Sequence, residues 1–186
     1  MTANARPKVV AVFGAAFLPA DSAAYRTARE LGGLLALQGW TVATGGYGGT
    51  MEAASRGAAE AGGRTIGVTS ETLTRTERRT NAWVQEEIRC ETVRERLVTL
   101  VRKADAAVAL DGGIGTLTEI TFCWVEIQTG ELSPRPLVLL GSVWKETMEA
   151  FFRSAGAYIK EADRSILRFA KSPDEAVRII QASLGQ

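Results

Sequence analysis

The stretch Asp111-Gly112-Gly113-Ile114-Gly115-Thr116-Leu117-Thr118-Glu119 lies between an apolar run, Ala106–Leu110, and a segment with helical periodicity, Ile120–Ile127. The run predicts a buried strand and the segment predicts a helix. The first N–H groups of a helix have no partner within it and carry partial positive charge, so such a turn can hold an anion. Glycines allow a ligand close to the backbone, and Glu119 adds a carboxylate. We predict a phosphate bound by Gly112, Gly113, Gly115 and Thr116, with chemistry at Glu119.

Strands alternate with helices along the rest of the chain, which predicts an α/β fold, a doubly wound parallel sheet with helices on both faces, as a single domain over residues 1–186. The predicted strands are Val9–Phe13, Trp40–Ala43, Thr65–Val68, Ala106–Leu110, Leu137–Leu140 and an edge strand at Ile166–Phe169. The first predicted helix is capped by Asp21 or Ser22 and ends at Gln38. The other predicted helices span Met51–Ala61, Ala82–Lys103, Ile120–Ile127, Trp144–Arg153 and Pro173–Ala182. Residues 1–7 are expected to form a disordered tail.

Composition excludes several classes of chemistry. The formal net charge is +1 with acids and bases interspersed, so we expect no nucleic-acid partner and no membrane surface. The chain has no histidine, which excludes catalytic triads, general bases and metal sites built on that residue. Cys90 and Cys123 lie in predicted helices without C-x-x-C spacing and are interpreted as buried free thiols.

The N-terminal segment resembles a secretory signal, because Arg6 and Lys8 precede the apolar run Val9–Leu18. We interpret Lys8–Phe13 instead as the first strand of the sheet. No apolar run approaches the roughly 20 residues of a membrane helix, and the sequence favours a cytoplasmic protein.

A second glycine-rich turn, Thr44-Gly45-Gly46-Tyr47-Gly48-Gly49-Thr50, follows the second predicted strand. Ligands bind parallel sheets beyond the carboxyl ends of the strands, and both glycine turns fall at that edge. We predict phosphate-binding roles for Gly45, Gly46, Gly48, Gly49 and Thr50. The polar segment Ser70–Asn81 has no periodicity and is either a lid or a mobile loop; its Arg75, Arg78 and Arg79 are either solvated or contact the ligand when that loop closes.

The spacing of the glycines bears on the kind of ligand. Thr118 stands where G-x-G-x-x-G requires its third glycine, and G-x-x-x-x-G-K-[ST] is absent from the sequence. A dinucleotide cofactor and a Walker-type triphosphate site are therefore disfavoured. Two separate glycine turns suit a mononucleotide or a sugar phosphate.

Gly112–Glu119 resembles the P-G-G-x-G-T-x-x-E signature of the LOG (Lonely Guy) family, formerly described as lysine decarboxylases. Arg96 is placed like the catalytic arginine of that family, Gly45–Met51 resembles its second glycine motif, and a W-x-x-x-Q-x-G pattern begins at Trp124. The resemblance covers roughly residues 8–145. It implies a Rossmann-like homodimer that hydrolyses the N-glycosidic bond of a nucleoside 5′-monophosphate, typically an N6-modified AMP (a cytokinin precursor), without metal or cofactor.

In that scheme the catalytic residues are Glu119 and Arg96. A carboxylate can stabilise the oxocarbenium character of a glycosidic transition state, orient water or accept its proton. We expect the helix N-terminus and Arg96 to keep Glu119 ionised. Arg96 could also contact the phosphate or the ribose.

A second interpretation is a non-catalytic carrier of a phosphorylated ligand, of the molybdenum-cofactor carrier type. Met51-Glu52-Ala53 resembles that branch, and Leu97 stands where LOG proteins usually have lysine. Asp111 replaces the proline of the signature, and Ala15-Ala16 replace serines common after the first strand. A lysine decarboxylase is disfavoured, because every lysine lies outside the glycine turns. We expect a homodimer formed through the helix at Ile120–Gln128, with Trp83 and Trp124 in the core or at that interface.

Overall fold

Short, apolar strands form a parallel sheet that helices cover on both faces. The computed structural model describes residues 6–76 and 78–185. The strands are β1 (Val9–Phe13), β2 (Thr41–Thr44), β3 (Thr65–Ser70), β4 (Glu86–Cys90), β5 (Ala106–Ala109), β6 (Leu137–Leu140) and β7 (Leu167–Ala170). Their order across the sheet is β4-β3-β2-β1-β5-β6-β7, and every pair is parallel. The predicted Rossmann-like doubly wound sheet is confirmed.

The helices of the described residues alternate with these strands. They are α1 (Ala23–Leu37), α2 (Thr50–Glu60), α3 (Glu71–Thr74), α4 (Val93–Lys103), α5 (Ile114–Gln128), α6 (Ser142–Ala155), α7 (Glu161–Arg164) and α8 (Pro173–Leu184). Alternate residues of β1 enter two separate apolar cores, as the period of a strand requires: Ala11 and Phe13 pack with α4, α5 and α6, whereas Val10 and Val12 pack with α1, α2 and α8.

Two helix starts follow the capping signals of the sequence. The hydroxyl of Ser22 accepts a hydrogen bond from the N–H of Tyr25 at 3.1 Å. Ser172 accepts from the N–H of Glu175, whose carboxylate accepts from the N–H of Lys171 at 2.7 Å. The glutamate carboxylate thus accepts from the residue before the N-cap, a variant of the capping box, and the two bonds fix the start of α8.

The predicted long helix Ala82–Lys103 is wrong. Its first part forms β4, which pairs with β3 from Ile66↔Glu86 to Ser70↔Cys90, so Cys90 lies on a strand. The helical part, α4, begins after Thr92, whose hydroxyl accepts from the N–H of Glu95 at 3.1 Å, while the Glu95 carboxylate accepts from the N–H of Glu91. Thr92-x-x-Glu95 thus has the sequence pattern of a capping box, with the same variant pairing as at α8, and marks the true start of the helix.

Other boundaries also differ from the prediction. α5 begins at Ile114, six residues before the predicted Ile120, because Gly113 is already its N-cap. The segment Ser70–Asn81 is not wholly irregular, since it ends β3 and contains the short α3. Residues 1–5 of the predicted tail lie outside the described residues, whereas Arg6 donates two hydrogen bonds to the Asp105 carboxylate, at 2.9 and 2.8 Å.

Both cysteines are free and buried, as predicted. Burial raises the pKa of the Cys123 thiol to about 12, which keeps it protonated and unreactive near neutral pH. Within the described part of the chain, no helix combines the length and the apolar character needed to cross a bilayer.

Candidate functional site

The turns after β1, β2 and β5 meet at the carboxyl edge of the sheet and are joined by the backbone of Ala15. The N–H of Ala15 donates to the carbonyl of Asp111 at 3.3 Å, and its carbonyl accepts from the N–H of Thr50 at 2.9 Å. A Cβ on Gly49 would lie 2.4 Å from the Ala15 carbonyl oxygen, and one on Gly112 would lie 3.0 Å from the Ala15 nitrogen. Glycine at these two positions therefore allows the three turns to approach one another.

The turn after β5 leaves the first turn of α5 open. Gly113 is the N-cap and provides no side-chain cap, and no heavy atom lies within 4 Å of a Cβ built on Gly113 or on Gly115. The first N–H groups of a helix have no partner within it, and the space beside Gly113 and Gly115 is open, so this turn is compatible with an anion site. Thr116 is different: it is buried, and its hydroxyl lies against Gly112, where an added Cβ would be 2.3 Å from Oγ1.

The turn after β2 is more enclosed. Gly45, Gly46, Gly49 and Thr50 are buried and Gly48 is half-buried; Gly46 and Gly49 have φ values of 78° and 66°, in the left-handed region that glycine tolerates best. The N–H of Thr50 already bonds Ala15, so it is not available to a ligand. The Thr50 hydroxyl is buried without a hydrogen-bond partner among the described residues, and it faces Gly14, on which a Cβ would lie 2.8 Å from Oγ1.

Arg96 lies across this second turn. Its Nε donates to the carbonyl of Val68 at 2.8 Å, its guanidinium lies 5.6 Å from the centre of the Tyr47 ring, and its Nη2 is 3.6 Å from the sulfur of Met51. A Cβ on Gly45 would come within 1.5 Å of Nη2. Glycine at position 45 therefore creates the space that the guanidinium occupies.

Glu119 projects from the second turn of α5 towards Arg96. Oε1 of Glu119 lies 3.7 Å from Nη1 of Arg96, and the two side chains are 13% and 10% exposed. Burial raises the pKa of Glu119 to about 7, against the opposing effect of Arg96. The prediction that Arg96 and the helix N-terminus keep Glu119 ionised is therefore wrong. The cost of removing the carboxylate from water exceeds the stabilisation by the Arg96 charge, and the helix dipole acts mainly within the first turn, one turn before Glu119.

The segment after β3 is attached to the second turn. The side-chain amide of Asn81 donates to the carbonyls of Gly46 and Tyr47 at 3.1 and 2.9 Å, and the Tyr47 hydroxyl bonds both the N–H and the carbonyl of Ser70. Arg78 and Arg79 line a pocket of about 200 Å³ beside Tyr47 and Gly48. Arg75 does not line this pocket, and its Nη2 lies 4.0 Å from Oε2 of Glu71.

The Asp111 carboxylate lies beside Gly141, the N-cap of α6. A Cβ added to Gly141 would be 2.4 Å from Oδ1, and the backbone of Val143 in the first turn of α6 stabilises the ionised form of the carboxylate. Partial burial raises the pKa of Asp111. The residue that departs from the LOG signature thus serves the start of a neighbouring helix.

Neither tryptophan discussed above faces the Arg96–Glu119 pair. The indole N–H of Trp124 donates to the carbonyl of Asp163 at 2.7 Å, and its ring meets Phe151 and Phe152 edge-on. The Trp83 ring lies 5.4 Å from the Arg56 guanidinium. Among the described residues, no cluster of Cys, Asp and Glu could hold a metal ion.

The structure thus brings Arg96, Glu119 and Gly45 into one contact and joins the two glycine turns through Ala15. Sequence reasoning missed Tyr47 and Asn81, which fasten the second turn. Their contacts join residues 23 to 35 positions apart, so no local pattern signals them.

The fold and the site define a class: Rossmann-like α/β proteins with two glycine turns and a buried arginine–glutamate pair at the carboxyl edge of the sheet. A profile of the SLOG cluster4 family matches residues 7–165, and the chain belongs to that family.

The relatives fall into two groups. The cytokinin riboside 5′-monophosphate phosphoribohydrolase of Mycobacterium tuberculosis is 33% identical over 132 residues, which are 70% of this chain and 69% of that protein. The molybdenum cofactor binding protein of Rippkaea orientalis superposes with a TM-score of 0.75 at 27% identity, over 96% of this chain and 98% of that one. The molybdenum cofactor carrier protein of Chlamydomonas reinhardtii superposes with a TM-score of 0.74 at 27% identity, over 97% of this chain and 100% of that one. The predicted family resemblance is confirmed in both of its branches.

Proposed function

We propose that the protein is a nucleoside 5′-monophosphate phosphoribohydrolase, which hydrolyses the N-glycosidic bond to a free base and ribose 5-phosphate. The observation that carries this proposal is the buried contact between Arg96 and Glu119 beside the open N-terminus of α5. The name of the mycobacterial relatives makes N6-modified AMP the first substrate to test.

In this proposal the phosphate binds the N–H groups of the first turn of α5, between Gly113 and Thr116. The site there is open, and the helix dipole favours the negative charge. The ribose then extends towards Glu119, in the next turn of the same helix. Fixing the sugar in this way supplies orientation, which is a large part of the advantage of an enzyme over solution.

Glu119 has the protonation behaviour that hydrolysis needs. As the glycosidic bond breaks, its electron pair leaves with the base and positive charge develops on the sugar, which a nearby carboxylate stabilises. Water then attacks C1′ while Glu119 takes one of its protons. The remaining hydroxyl stays on the ribose, and Glu119 passes the proton through solvent to the departing base, which returns the carboxylate to its starting state. A group with a pKa of about 7 can both accept and release a proton near neutral pH.

Arg96 positions that carboxylate. Its hydrogen bond to Val68 and its ring contact with Tyr47 hold the guanidinium in place, and its charge opposes the effect of burial on Glu119. N–H groups of the guanidinium beyond the bond to Val68 are able to meet an oxygen of the ribose or the phosphate.

The experiment is incubation of the purified protein with AMP and with N6-isopentenyl-AMP, with the free base measured by chromatography. We expect release of base by the wild type and its loss in Glu119→Ala and Arg96→Ala. Arg94→Ala is the matched control, because Arg94 lies on the same helix as Arg96 but is exposed. Turnover that survives both site variants would refute the proposal.

A second candidate function is a carrier of a phosphorylated ligand. It is favoured by the molybdenum cofactor proteins, whose structures superpose on nearly the whole chain at 27% identity. In this case the wild type would release no base from any nucleotide. A phosphorylated compound would copurify with the protein and be identified by mass spectrometry of the denatured sample.

We also infer a homodimer formed through α5 and its neighbour α6. Val125 on α5 and Phe151 on α6 are 48% and 47% exposed, and Phe151 contacts Trp124, also of α5. Association would cover these apolar side chains, which gains free energy in proportion to the apolar area removed from water.

A further inference from the structure

Tyr47 lies in the middle of the second glycine turn, and its ring contacts Arg96. The centre of the ring is 5.6 Å from the Arg96 guanidinium, within the range of a cation–π interaction. Both side chains are buried, and such an interaction is stronger when the cation is removed from water. The ring therefore supports the guanidinium from one side.

The guanidinium needs this support, because its one strong hydrogen bond leaves it free to turn. Its Nε donates to the carbonyl of Val68 at 2.8 Å. Its Nη1 is 3.7 Å from Oε1 of Glu119, which is longer than an ordinary hydrogen bond, and its Nη2 lies 3.6 Å from the sulfur of Met51, a weak acceptor. A turn about the bond to Val68 would change the distance to Glu119, and the Tyr47 ring limits that turn.

Tyr47 also holds both ends of the segment Ser70–Asn81. At its start, the Tyr47 hydroxyl accepts from the N–H of Ser70 at 2.9 Å and donates to the carbonyl of Ser70 at 3.1 Å. At its end, the side-chain amide of Asn81 donates to the Tyr47 carbonyl at 2.9 Å. The positions of both ends of the segment and of the Arg96 guanidinium therefore depend on one residue.

We propose that Tyr47 is a positioning residue. Its ring holds the Arg96 guanidinium beside Glu119, and its hydroxyl and carbonyl connect that arrangement to the segment Ser70–Asn81. A rearrangement of the segment is thus transmitted to Arg96. The consequence for catalysis rests on the proposed function, in which Arg96 positions the Glu119 carboxylate, whereas the geometric role of Tyr47 does not.

The test measures how fast the Arg96 Nε–H exchanges with water, by heteronuclear NMR of the protein without nucleotide. The signal is assigned by its loss in Arg96→Lys. Tyr47→Phe keeps the ring and should leave the exchange rate within about three-fold of the wild type, whereas Tyr47→Leu removes the ring and should raise it roughly ten-fold or more. Tyr47→Met is a second variant without the ring, because its flexible side chain fills irregular space, and it should behave like Tyr47→Leu.

Tyr25→Leu is the matched control for the loss of a buried tyrosine. Tyr25 is also buried, but it lies on α1 and its hydroxyl bonds Glu52, so this variant should leave the Arg96 exchange rate unchanged.

Two variants at the end of the segment test its connection to Arg96. Asn81→Ala removes the side-chain bond to Tyr47 and should raise the Arg96 exchange rate roughly two-fold or more. Thr80→Val removes a bond to Glu87 instead and should not change it.

An unchanged exchange rate in Tyr47→Leu and Tyr47→Met, or an equal rise in Tyr25→Leu, would overturn the positioning role. A rise in Tyr47→Phe as large as in Tyr47→Leu would contradict the role of the ring. No effect of Asn81→Ala would contradict the connection to the segment.

Base release from N6-isopentenyl-AMP is measured separately. Its kcat should fall about ten-fold or more in Tyr47→Leu with a smaller change in KM, and Tyr47→Phe should retain most of it. A wild type that releases no base refutes the hydrolase proposal, and the exchange rates still decide the role of Tyr47.

Discussion

Replacement of Glu119 by glutamine should stabilise the protein at alkaline pH while it removes the proposed activity. The carboxyl group is buried, its pKa is raised to about 7 from its ordinary value of 4.5, and the Arg96 guanidinium lies 3.7 Å away. In the unfolded chain the same group ionises at its ordinary value. The two states of the chain therefore bind different numbers of protons between these values of pH.

The sign and size of the effect follow from that difference. Below pH 4.5 the group is protonated in both states and has no effect on the pH dependence. Above it, the unfolded chain loses the proton first, so the wild-type protein loses stability until the pH passes about 7. Each unit by which the pKa of Glu119 is raised on folding costs about 1.4 kcal/mol of unfolding free energy once the group is ionised, so the whole rise costs about 3 kcal/mol. Glutamine does not ionise, and the variant should escape this cost.

The assay is urea unfolding of wild type and Glu119→Gln at pH 5, 6, 7 and 8. The difference in unfolding free energy should be small at pH 5 and should approach about 3 kcal/mol in favour of the variant at pH 8. Glu161→Gln is the control, because that side chain is 88% exposed and solvent screens its interactions; it should follow the wild type throughout. A difference that does not change with pH would refute the reasoning.

Three further outcomes are expected. Gly45→Ala should displace the Arg96 guanidinium, because the new Cβ would lie 1.5 Å from Nη2. The variant should lower the unfolding free energy by about 1–3 kcal/mol and abolish base release. The helical control Gly33→Ala, whose Cβ would meet nothing closer than 3.5 Å, should leave the unfolding free energy unchanged or raise it. Asp111→Ala should destabilise the start of α6 by about 1 kcal/mol in thermal unfolding, and Asp111→Asn should retain most of that stability. Phe151→Glu should shift the protein from dimer to monomer in light scattering at micromolar concentration, and a wild-type monomer under the same conditions would refute the proposed interface.

The parts of the fold that were predicted are those with a strong local signal. β1, β5 and β6 are apolar runs that end at turn residues, because buried parallel strands have both faces in a core. α8 follows a Ser-Pro start with glutamate at the third helical position. In such segments, local preference and tertiary packing agree.

β4 could not be recognised because its stabilisation is not local. Glu86, Glu87 and Arg89 are exposed, as expected on an edge strand, so the segment lacks an apolar run and resembles a charged helix. Its backbone hydrogen bonds to β3 determine the structure. The local sequence signal for this boundary is the S/T-x-x-E pattern of Thr92 and Glu95, which marks only the helix that follows β4.

The candidate site likewise combines features that have a local sequence signal with features that depend on tertiary packing. The glycine turns and the α5 helix start are local features, and the pairing of Arg96 with Glu119 was expected from the family resemblance. The protonation of Glu119 was predicted wrongly, because it depends on how completely α4, α5 and the second turn exclude water around one oxygen pair. The orientation of Asp111 towards α6 likewise depends on where Gly141 lies in space.

Ala15 joins the two glycine turns through main-chain atoms alone. Any residue that keeps an N–H and a carbonyl at position 15 can maintain these bonds, whereas proline, which lacks the N–H, would leave the Asp111 carbonyl without its donor. Side-chain chemistry at that position is therefore independent of the spacing between the turns. The side chain that projects from this first loop can therefore change without altering how the two glycine turns beneath it are held together.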